Sequence, residues 1–383
     1  MRNQSHIRIL DALRGFAALY VMIGHARWLL WEGFSTGYQL HPDSYNFIEK
    51  TIAVFFLLFR FGREFVILFF LLSGYLIFQS SMRNGMFASL RPYAVRRIRR
   101  IYPPLVVALL VTLAVDTAGM HLFLPIYFGE HPYQLIAANI SVNHSPRIFF
   151  ENLVGLMTYA APAYGTNSPL WSLGLEIWFY LIFGFLGFML RSSGRVLSAA
   201  VLLGLLGLYL NGNEMFLPYS IVMSGFGIWC LGALLAFGIQ RNQSSKAAGL
   251  FFCCLGFGLP GYLVFKASAP FPAVLFALER IGDWISGLGF MGIVGYFLLW
   301  PWEKSMFRYP ISFLEKAAPF SYTLYLVHFP LLVFYSGVLM NMSPEHALPK
   351  SQVHIFVGIA VVLFVSWALH FITERPFIRK HSS

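Results

Sequence analysis

Charged residues are scarce in this chain. Only 11% of its 383 residues are Asp, Glu, Lys or Arg, whereas 58% are hydrophobic and 18% are aromatic. A soluble protein of this length needs far more charge to cover its surface. The composition therefore argues against an ordinary soluble enzyme. Apolar runs recur along the whole chain and predict an all-α, polytopic integral membrane protein.

Cysteine is also rare, and its arrangement suggests no chemistry. The three cysteines, Cys230, Cys253 and Cys254, all lie within apolar runs. They show neither the spacing of metal ligands nor that of a disulfide framework, so we expect them to pack in the interior. The histidines of the segment 120–167 are irregularly spaced, and we expect no metal site there.

Long apolar segments, by contrast, are abundant. Ten of them have roughly the 17–25 residues that a helix needs to cross a bilayer. They lie at 12–31, 64–80, 101–119, 168–190, 195–211, 217–239, 246–266, 283–301, 319–341 and 352–372. The shorter run 47–60 predicts a helix on the membrane surface or a re-entrant helix. We expect Tyr102-Pro103-Pro104 to open the third segment.

The distribution of positive charge predicts the orientation. With the N-terminus in the cytoplasm, nineteen of the 27 Lys and Arg residues fall in segments on the cytoplasmic side. The positive-inside rule then predicts ten spans with both termini cytoplasmic. Membrane topology accounts for the net charge of +11, so we expect membrane lipids and no nucleic acid as partners. We expect one membrane domain over residues 1–383, with no fused extracytoplasmic domain.

The first apolar segment contains two ionisable side chains on one stripe. Arg14 and His25 are eleven residues apart. On an α-helix this is nearly a whole number of turns and about 16 Å along the axis. Asp11 lies close to the same stripe and is expected to be a local partner of Arg14. Titratable groups inside a lipid-spanning helix are costly, which makes this stripe a functional candidate.

Three further polar groups are expected at the depth of His25. Helical rise places Ser73, Glu176 and His328 in one layer, between the midplane and the outer half of the membrane. A carboxylate at that depth must be protonated or paired, and His25 is the obvious partner for Glu176. Ser73 has an alternative role in helix packing, and His328 has one in an ordinary interhelical hydrogen bond.

A cluster of arginines precedes the third segment, in the sequence RRIRRIYPP from Arg96 to Pro104. One interpretation is topogenic charge in contact with lipid headgroups. The other is a site for a polyanionic cytosolic ligand. Arg97 and Arg100 are three residues apart and share a helix face, so they could grip phosphates bidentately. Arg14, near the same boundary, would add a third contact.

Six ordered motifs resemble the acyltransferase-3 family of membrane acyltransferases. They are Arg14 and His25 with ten residues between them, FFLLSGY at 69–75, Arg97-x-x-Arg100-Ile101-Tyr102-Pro103, Trp171-Ser172-Leu173 with Glu176 and Phe179-Tyr180, Ser321-Tyr322 with Leu324-Tyr325-Leu326, His328 and Pro330, and Glu374-Arg375-Pro376-Phe377. Any one of them is weak, but together they cover nearly the whole chain in the order that the family shows.

The resemblance implies transfer of an acyl group, usually acetyl, from cytosolic acyl-CoA to a hydroxyl on an extracytoplasmic carbohydrate or glycolipid. It implies a location in the bacterial cytoplasmic (inner) membrane. It ties Arg14 and His25 to catalysis and the pair Arg97 and Arg100 to the donor, with Tyr102 in the same motif. No metal is implied.

A mechanism follows as a hypothesis. Arg97 and Arg100, with help from Arg14 or Arg96, would hold the CoA phosphates. His25 would remove the proton of the attacking hydroxyl, and Glu176 would hold its tautomer. The candidates for stabilising the oxyanion are Ser73, Tyr325 and His328. In a second route His25 itself is acylated.

Two other classes of protein remain open. A transporter or flippase for a lipid-linked or anionic substrate could also place charged groups near the midplane. The sequence shows no inverted repeat and no matching pair of broken helices, which such a protein often has. A non-enzymatic scaffold is the third class, and it leaves the aligned polar layer unexplained.

Overall fold

The computed structural model describes residues 2–157, 160–210, 217–240, 275–299 and 305–377. Its helices are α1 (Arg2–Leu29), α2 (Phe47–Leu57), α3 (Gly62–Ser81), α4 (Leu90–His121), α5 (Gln134–Asn139), α6 (Pro146–Leu153), α7 (Leu170–Leu190), α8 (Ser193–Tyr209), α9 (Leu217–Gln240), α10 (Leu275–Leu299), α11 (Arg308–Glu315), α12 (Ser321–Asn341) and α13 (Val353–Thr373). Single-turn helices lie at Phe34–Tyr38, Pro42–Ser44, Pro125–Tyr127 and Ala318–Phe320.

The helices confirm the predicted fold class. Seven helical stretches within the described ranges are long and apolar enough to cross a membrane, and α8 is a shorter apolar helix. The protein is therefore an all-α, polytopic membrane protein. The count of ten spans and the cytoplasmic placement of both termini stay predictions. The expected span 246–266, with Cys253 and Cys254, lies outside the described residues.

The expected start of the third span is wrong. Tyr102-Pro103-Pro104 does not open a helix, because α4 begins at Leu90 and continues through both prolines. A proline inside a helix leaves one carbonyl without its amide donor and usually bends the helix, but it does not have to end it. The arginine cluster therefore lies within the first turns of α4 rather than in a loop before it.

Two compact units divide the chain. Unit 1 comprises residues 1–17, 63–97 and 175–317, and unit 2 comprises residues 18–62, 98–174 and 318–383. Three helices, α1, α4 and α7, begin in one unit and end in the other. The expectation of a single domain over 1–383 stays a prediction.

The interior of unit 1 is rich in aromatic side chains and in close helix contacts. The ring centroids of Phe183 and Trp229 are 5.2 Å apart, and those of Phe226 and Trp229 are 5.7 Å apart. Helices α3 and α9 touch through two glycines. A Cβ on Gly74 would lie 1.9 Å from the Trp229 carbonyl oxygen, and one on Gly232 would lie 1.9 Å from that of Leu71.

Unit 1 also contains a small hairpin that joins α3 to α4. Strand β1 (Met82–Arg83) pairs in antiparallel fashion with β2 (Met86–Phe87). The turn residues Asn84 and Gly85 have φ values of 49° and 77°. Asn-Gly suits such a two-residue turn because both positions tolerate positive φ.

The core of unit 2 is built on α12. Most of its side chains are buried, from Ser321 to Met340, including the polar residues Thr323, His328 and Ser336. Helix α13 packs on it, and a Cβ on Gly358 would lie 3.4 Å from a methyl carbon of Leu332. Thr323 and His328 therefore find their partners inside the protein rather than in lipid.

We expect Gly74→Ala and Gly232→Ala each to lower the free energy of unfolding by about 1–3 kcal/mol, because the added methyl meets a rigid backbone carbonyl. Gly194→Ala is the matched control. It lies in a helix and its Cβ would have no atom within 4 Å. Thermal unfolding in detergent measures the three variants, and equal midpoints for all three would contradict the close α3–α9 contact.

Candidate functional site

Helix α1 carries both residues of the polar stripe without interruption. It runs from Arg2 to Leu29, so Arg14 and His25 lie on one continuous helix as predicted. The guanidinium Nη2 of Arg14 lies 3.4 Å from Oδ1 of Asp11. The expectation that Asp11 is a local partner of Arg14 is thereby confirmed.

His25 forms a pair with His328 inside unit 2. Nδ1 of His25 lies 2.7 Å from Nε2 of His328, and the two ring planes differ by 7°. Trp28 and Phe329 pack their rings edge-on against His25, with centroids 5.9 and 5.0 Å away. The neighbouring helices therefore hold the His25 ring in one orientation.

The partners of His328 determine which nitrogen of His25 carries the proton. Nδ1 of His328 lies 2.7 Å from the carbonyl oxygen of Tyr325 and 3.1 Å from that of Leu324. A carbonyl only accepts, so this Nδ1 carries hydrogen, and in a neutral ring Nε2 is then an acceptor. Nδ1 of His25 must donate to it. The remaining nitrogen of His25, Nε2, is left with an unprotonated lone pair.

Exposure separates the roles of the two histidines. His328 is 0% exposed, and both its nitrogens are engaged with the protein. His25 is only partly buried. Of the pair, only His25 therefore keeps some exposed surface.

Tyr325 stands beside this pair. Its ring centroid lies 5.8 Å from that of His328. Its hydroxyl lies 2.6 Å from the Ser172 hydroxyl and 3.3 Å from the Pro169 carbonyl oxygen, to which it donates. These contacts fasten α12 to the start of α7 within unit 2.

A second set of contacts in unit 2 is centred on Asp116. It was not predicted from the sequence. This carboxylate is 0% exposed. It lies 2.9 Å from Nε2 of His144 and accepts from the backbone N–H and the hydroxyl of Thr166, each at 2.8 Å. Gly165 has a φ of +55°, and a Cβ there would lie 2.4 Å from the Asp116 carboxylate.

The Asp116 cluster reaches α12 through the next residue of the segment. The side-chain amide of Asn167 donates to the Leu326 carbonyl at 2.8 Å and to the Thr112 hydroxyl at 3.1 Å. Leu326 follows Tyr325, whose carbonyl oxygen accepts the hydrogen bond from Nδ1 of His328. Asp116 lies within the predicted span 101–119, so its cost in an apolar segment was the available signal.

Ser73 and Glu176, which the sequence placed at one depth, are in contact within unit 1. The Ser73 hydroxyl donates to Oε1 of Glu176 at 2.7 Å and lies 3.0 Å from the Tyr180 hydroxyl. The Tyr180 hydroxyl also donates to Glu176, and the Trp229 indole donates to Ser73 at 3.2 Å. This partly buried carboxylate thus accepts from two hydroxyl donors.

The arginine cluster of α4 contacts Tyr180, one of the two residues whose hydroxyls donate to Glu176. The Arg97 guanidinium lies 5.7 Å from the Tyr180 ring centroid and 5.8 Å from that of Tyr93. The Tyr93 hydroxyl donates to the Tyr180 carbonyl at 2.8 Å. Arg96 and Arg100 are exposed, and Tyr102 is partly buried. The cluster therefore combines one arginine held by two tyrosine rings with three exposed arginines, Arg96, Arg99 and Arg100.

The predicted site residues thus fall into two groups. His25, His328 and Tyr325 are neighbours in unit 2, and Ser73 and Glu176 are neighbours in unit 1. The expected pairing of Glu176 with His25 joins residues of different units and stays a prediction, as do all the catalytic roles. Among the described residues no three His, Cys, Asp or Glu side chains are grouped to hold a metal.

These features define a class, a polytopic membrane protein with a histidine pair in its apolar interior and an arginine cluster on one helix. Comparison with known proteins identifies the family. The family described as "Acyltransferase domain", acyltransferase-3, matches residues 7–371. The chain belongs to the acyltransferase-3 family.

Two curated relatives share part of this chain. "Nodulation protein 10" of Rhizobium leguminosarum bv. viciae is 30% identical over 246 residues, which are 61% of this chain and 60% of the relative. An "O-acetyl transferase" of Shigella phage Sf6 is 29% identical over 174 residues, 45% of this chain and 44% of the relative. The chain therefore spans less than two thirds of either relative. No solved structure matches it.

Removal of the buried carboxylate in Asp116→Ala is expected to lower the free energy of unfolding by about 2–4 kcal/mol, because it strands the donors of Thr166. Glu151→Ala is the matched control, since Glu151 pairs with an arginine side chain that is 84% exposed. We expect the control to change stability by less than about 1 kcal/mol. Unfolding in detergent measures both, and equal losses would contradict the fastening role of Asp116.

Proposed function

We propose that this chain is a membrane-bound O-acyltransferase. It transfers an acyl group, most simply acetyl, from cytosolic acyl-CoA to a hydroxyl of an extracytoplasmic polysaccharide or glycolipid. Its place is the bacterial cytoplasmic (inner) membrane, with ten spans and both termini in the cytoplasm. Family membership and the printed name "O-acetyl transferase" of one relative support the reaction class.

The observation that carries the proposal is the chain of hydrogen bonds from the Tyr325 carbonyl through His328 to His25. General-base catalysis by an imidazole requires an unprotonated nitrogen, held in place, that can reach the acceptor hydroxyl. His328 supplies this arrangement, because its Nε2 keeps the proton of His25 on Nδ1. It takes the place that a carboxylate occupies in the familiar catalytic triads.

The first chemical step is attack on the thioester. Nε2 of His25 removes the proton of the acceptor hydroxyl as its oxygen bonds to the thioester carbonyl carbon. The imidazolium then still donates from Nδ1 to His328. When the carbon–sulfur bond breaks, CoA leaves as thiolate and takes the proton from Nε2. The products are the acyl ester and free CoA, and His25 is neutral again.

The arginines of α4 hold the donor in this proposal. The exposed guanidiniums of Arg96 and Arg100 bind the CoA phosphates, and Arg97 adds a charge that Tyr93 and Tyr180 hold in place. Tyr102 follows on the next turn of the same helix. Arg14, paired with Asp11, supplies a further contact in this proposal.

The contacts favour different proposed roles for the remaining candidates. His328 is a positioning residue rather than an oxyanion donor, because both its nitrogens are engaged. Ser73 and Tyr325 are the hydroxyl donors proposed for the oxyanion, after exchange of their present hydrogen bonds. Glu176 accepts from Ser73 and Tyr180 and thereby orients both of them. In the alternative route Nε2 of His25 takes the acyl group before the acceptor arrives.

We expect His25→Ala to abolish acyl transfer, because it removes the base, while acyl-CoA still binds. His328→Leu should lower kcat by about 10²- to 10⁴-fold with little change in the KM for acyl-CoA. The measurement is transfer from radiolabelled acetyl-CoA in proteoliposomes, with release of free CoA to separate transfer from transport. Mass spectrometry of surface glycans checks the product.

His354→Ala is the control for loss of a membrane histidine. His354 lies at the start of α13, and its side chain is hydrogen-bonded to the Tyr335 hydroxyl at 2.9 Å. Its replacement should leave kcat unchanged. An active His25→Ala variant would contradict the assignment of His25 as the general base. A radiolabelled acyl-enzyme that is lost in His25→Gln would favour the route through an acylated histidine.

We expect the double change Arg97→Ala with Arg100→Ala to weaken acyl-CoA binding at least about 10-fold, because each charge-assisted contact contributes about 1.5–3 kcal/mol. Arg91→Ala, an exposed arginine earlier on α4, should leave the Kd unchanged. Equilibrium binding of radiolabelled acetyl-CoA measures all three proteins. If the double variant bound acetyl-CoA like the wild type, the cluster would serve membrane topology only.

A further inference from the structure

One face of α1 in unit 2 packs against the short segment that follows α2. The Tyr20 hydroxyl donates to the Leu58 carbonyl, and the ring centroids of Tyr20 and Phe59 are 5.0 Å apart. One turn later a Cβ on Gly24 would lie 2.8 Å from the Phe59 carbonyl oxygen. Arg27 is the next residue on this face, because positions 20, 24 and 27 repeat at helical spacing.

This packing brings two arginines together. Arg60 follows Phe59, which lies against Gly24, so Arg60 lies close to the turn of α1 that carries Arg27. The Arg60 guanidinium lies over the Phe61 ring, 5.0 Å from its centroid. The Nε atom of Arg27 is buried and has no hydrogen-bond partner. Among the described residues, neither Arg27 nor Arg60 forms an ion pair. Arg27 is partly buried and has no ion pair, so its charge is the costlier of the two, and an anion that both guanidiniums contact would offset that cost.

Two acidic residues near this pair in the chain, Glu32 and Glu49, are engaged elsewhere. Glu32 accepts from the Tyr45 hydroxyl. Glu49 accepts from the backbone N–H of Asn46 at 2.9 Å and lies 4.0 Å from the Lys350 ammonium. Neither carboxylate is the missing counter-ion in this structure.

Two other basic residues expected on the same side of the membrane, Arg63 and Arg147, form ion pairs. Arg63 forms a two-pronged ion pair with Asp283, at 2.9 and 2.8 Å, within unit 1. Arg147 pairs with Glu151 at 2.7 Å. The positive-inside rule offers no reason for two uncompensated arginines on the outer side. The pair therefore calls for a ligand rather than for a topological explanation.

The surroundings indicate what kind of anion fits. The segment that leads to Arg60 exposes apolar side chains, Val54, Phe55 and Leu58, which suit a hydrocarbon chain rather than water. Two guanidiniums match the oxygens of one phosphate group. An amphiphile with a phosphate head would place its head at Arg27 and Arg60 and its chain along α2.

We propose that Arg27 and Arg60 bind the phosphate group of an amphiphilic, phosphate-bearing glycolipid that is the acyl acceptor. The inference rests on the proposed function, since it names the acceptor class of that reaction. Arg27 lies two residues beyond His25, about 3 Å along the helix axis but on a different face of α1, so the phosphate at Arg27 and the hydroxyl at His25 would belong to different parts of one acceptor.

The test is equilibrium binding of radiolabelled dodecyl phosphate to the purified full chain in neutral detergent, by scintillation proximity. The expected result is binding by the wild type and a loss of about 10- to 100-fold in Arg27→Gln and in Arg60→Gln. Arg147→Gln, which removes another arginine expected on the outer side, should bind like the wild type. Wild-type affinity in Arg27→Gln and Arg60→Gln would overturn the proposal.

Folding is checked by the unfolding midpoint of each variant without ligand. If Arg27→Gln does not fold, Arg60→Gln decides the outcome, because Arg60 is exposed and its loss leaves the packing intact. Arg27→Lys, which keeps the charge, should retain more affinity than Arg27→Gln. Equal loss in both Arg27 variants would mean that the side chain serves packing and would overturn the assignment of Arg27.

A competition experiment distinguishes the phosphate of a glycolipid from that of a phospholipid headgroup. Dodecyl glucosyl phosphate should displace the probe at lower concentration than dihexanoyl phosphatidylglycerol does. Equal displacement would assign the site to bulk lipid headgroups and would overturn its assignment to the acyl acceptor. The binding assay does not depend on acyl transfer. Arginine-dependent binding without any CoA release by the wild type would therefore refute the proposed function and leave the phosphate site standing.

Discussion

The hydrogen bond between the two neutral imidazoles of His25 and His328 is the constraint on which the proposed chemistry depends. Its direction is set by a backbone carbonyl, because Nδ1 of His328 lies 2.7 Å from the Tyr325 oxygen. Carbonyls do not change protonation, so the tautomer of His25 is determined by the fold of α12 and not by a second ionisable group. Such a device suits an apolar interior, where a charged carboxylate would be costly.

Much of the remaining unit 2 holds that carbonyl in place. The Asn167 amide donates to the Leu326 carbonyl, and the Tyr325 hydroxyl is fastened at the start of α7. The buried carboxylate of Asp116 orders the segment that carries Asn167. These contacts join residues far apart in sequence to the turn of α12 that orients His328. The stability of unit 2 and the tautomer of His25 are therefore linked.

Local features were predictable from the sequence and long-range partners were not. Composition predicted the helical membrane fold, and helical spacing predicted the pair of Asp11 with Arg14. Depth along an axis correctly grouped Ser73 with Glu176, but it carries no information on which way a side chain points. The depth estimate therefore did not single out His328 as the contact of His25, and the pairing of Glu176 with His25 stays a prediction. Proline suggested a start for α4 that tertiary packing overrides, and the short Asn84-Gly85 signal passed unnoticed.

The most direct test of the central claim is ¹⁵N solid-state NMR of histidine-labelled protein in lipid, with His25 assigned by its absence from His25→Gln. The account predicts a neutral His25 ring with a protonated Nδ1 and an unprotonated Nε2. It also predicts a coupling across the hydrogen bond from that Nδ1 to Nε2 of His328, lost in His328→Leu. A His25 ring protonated at Nε2 would contradict it.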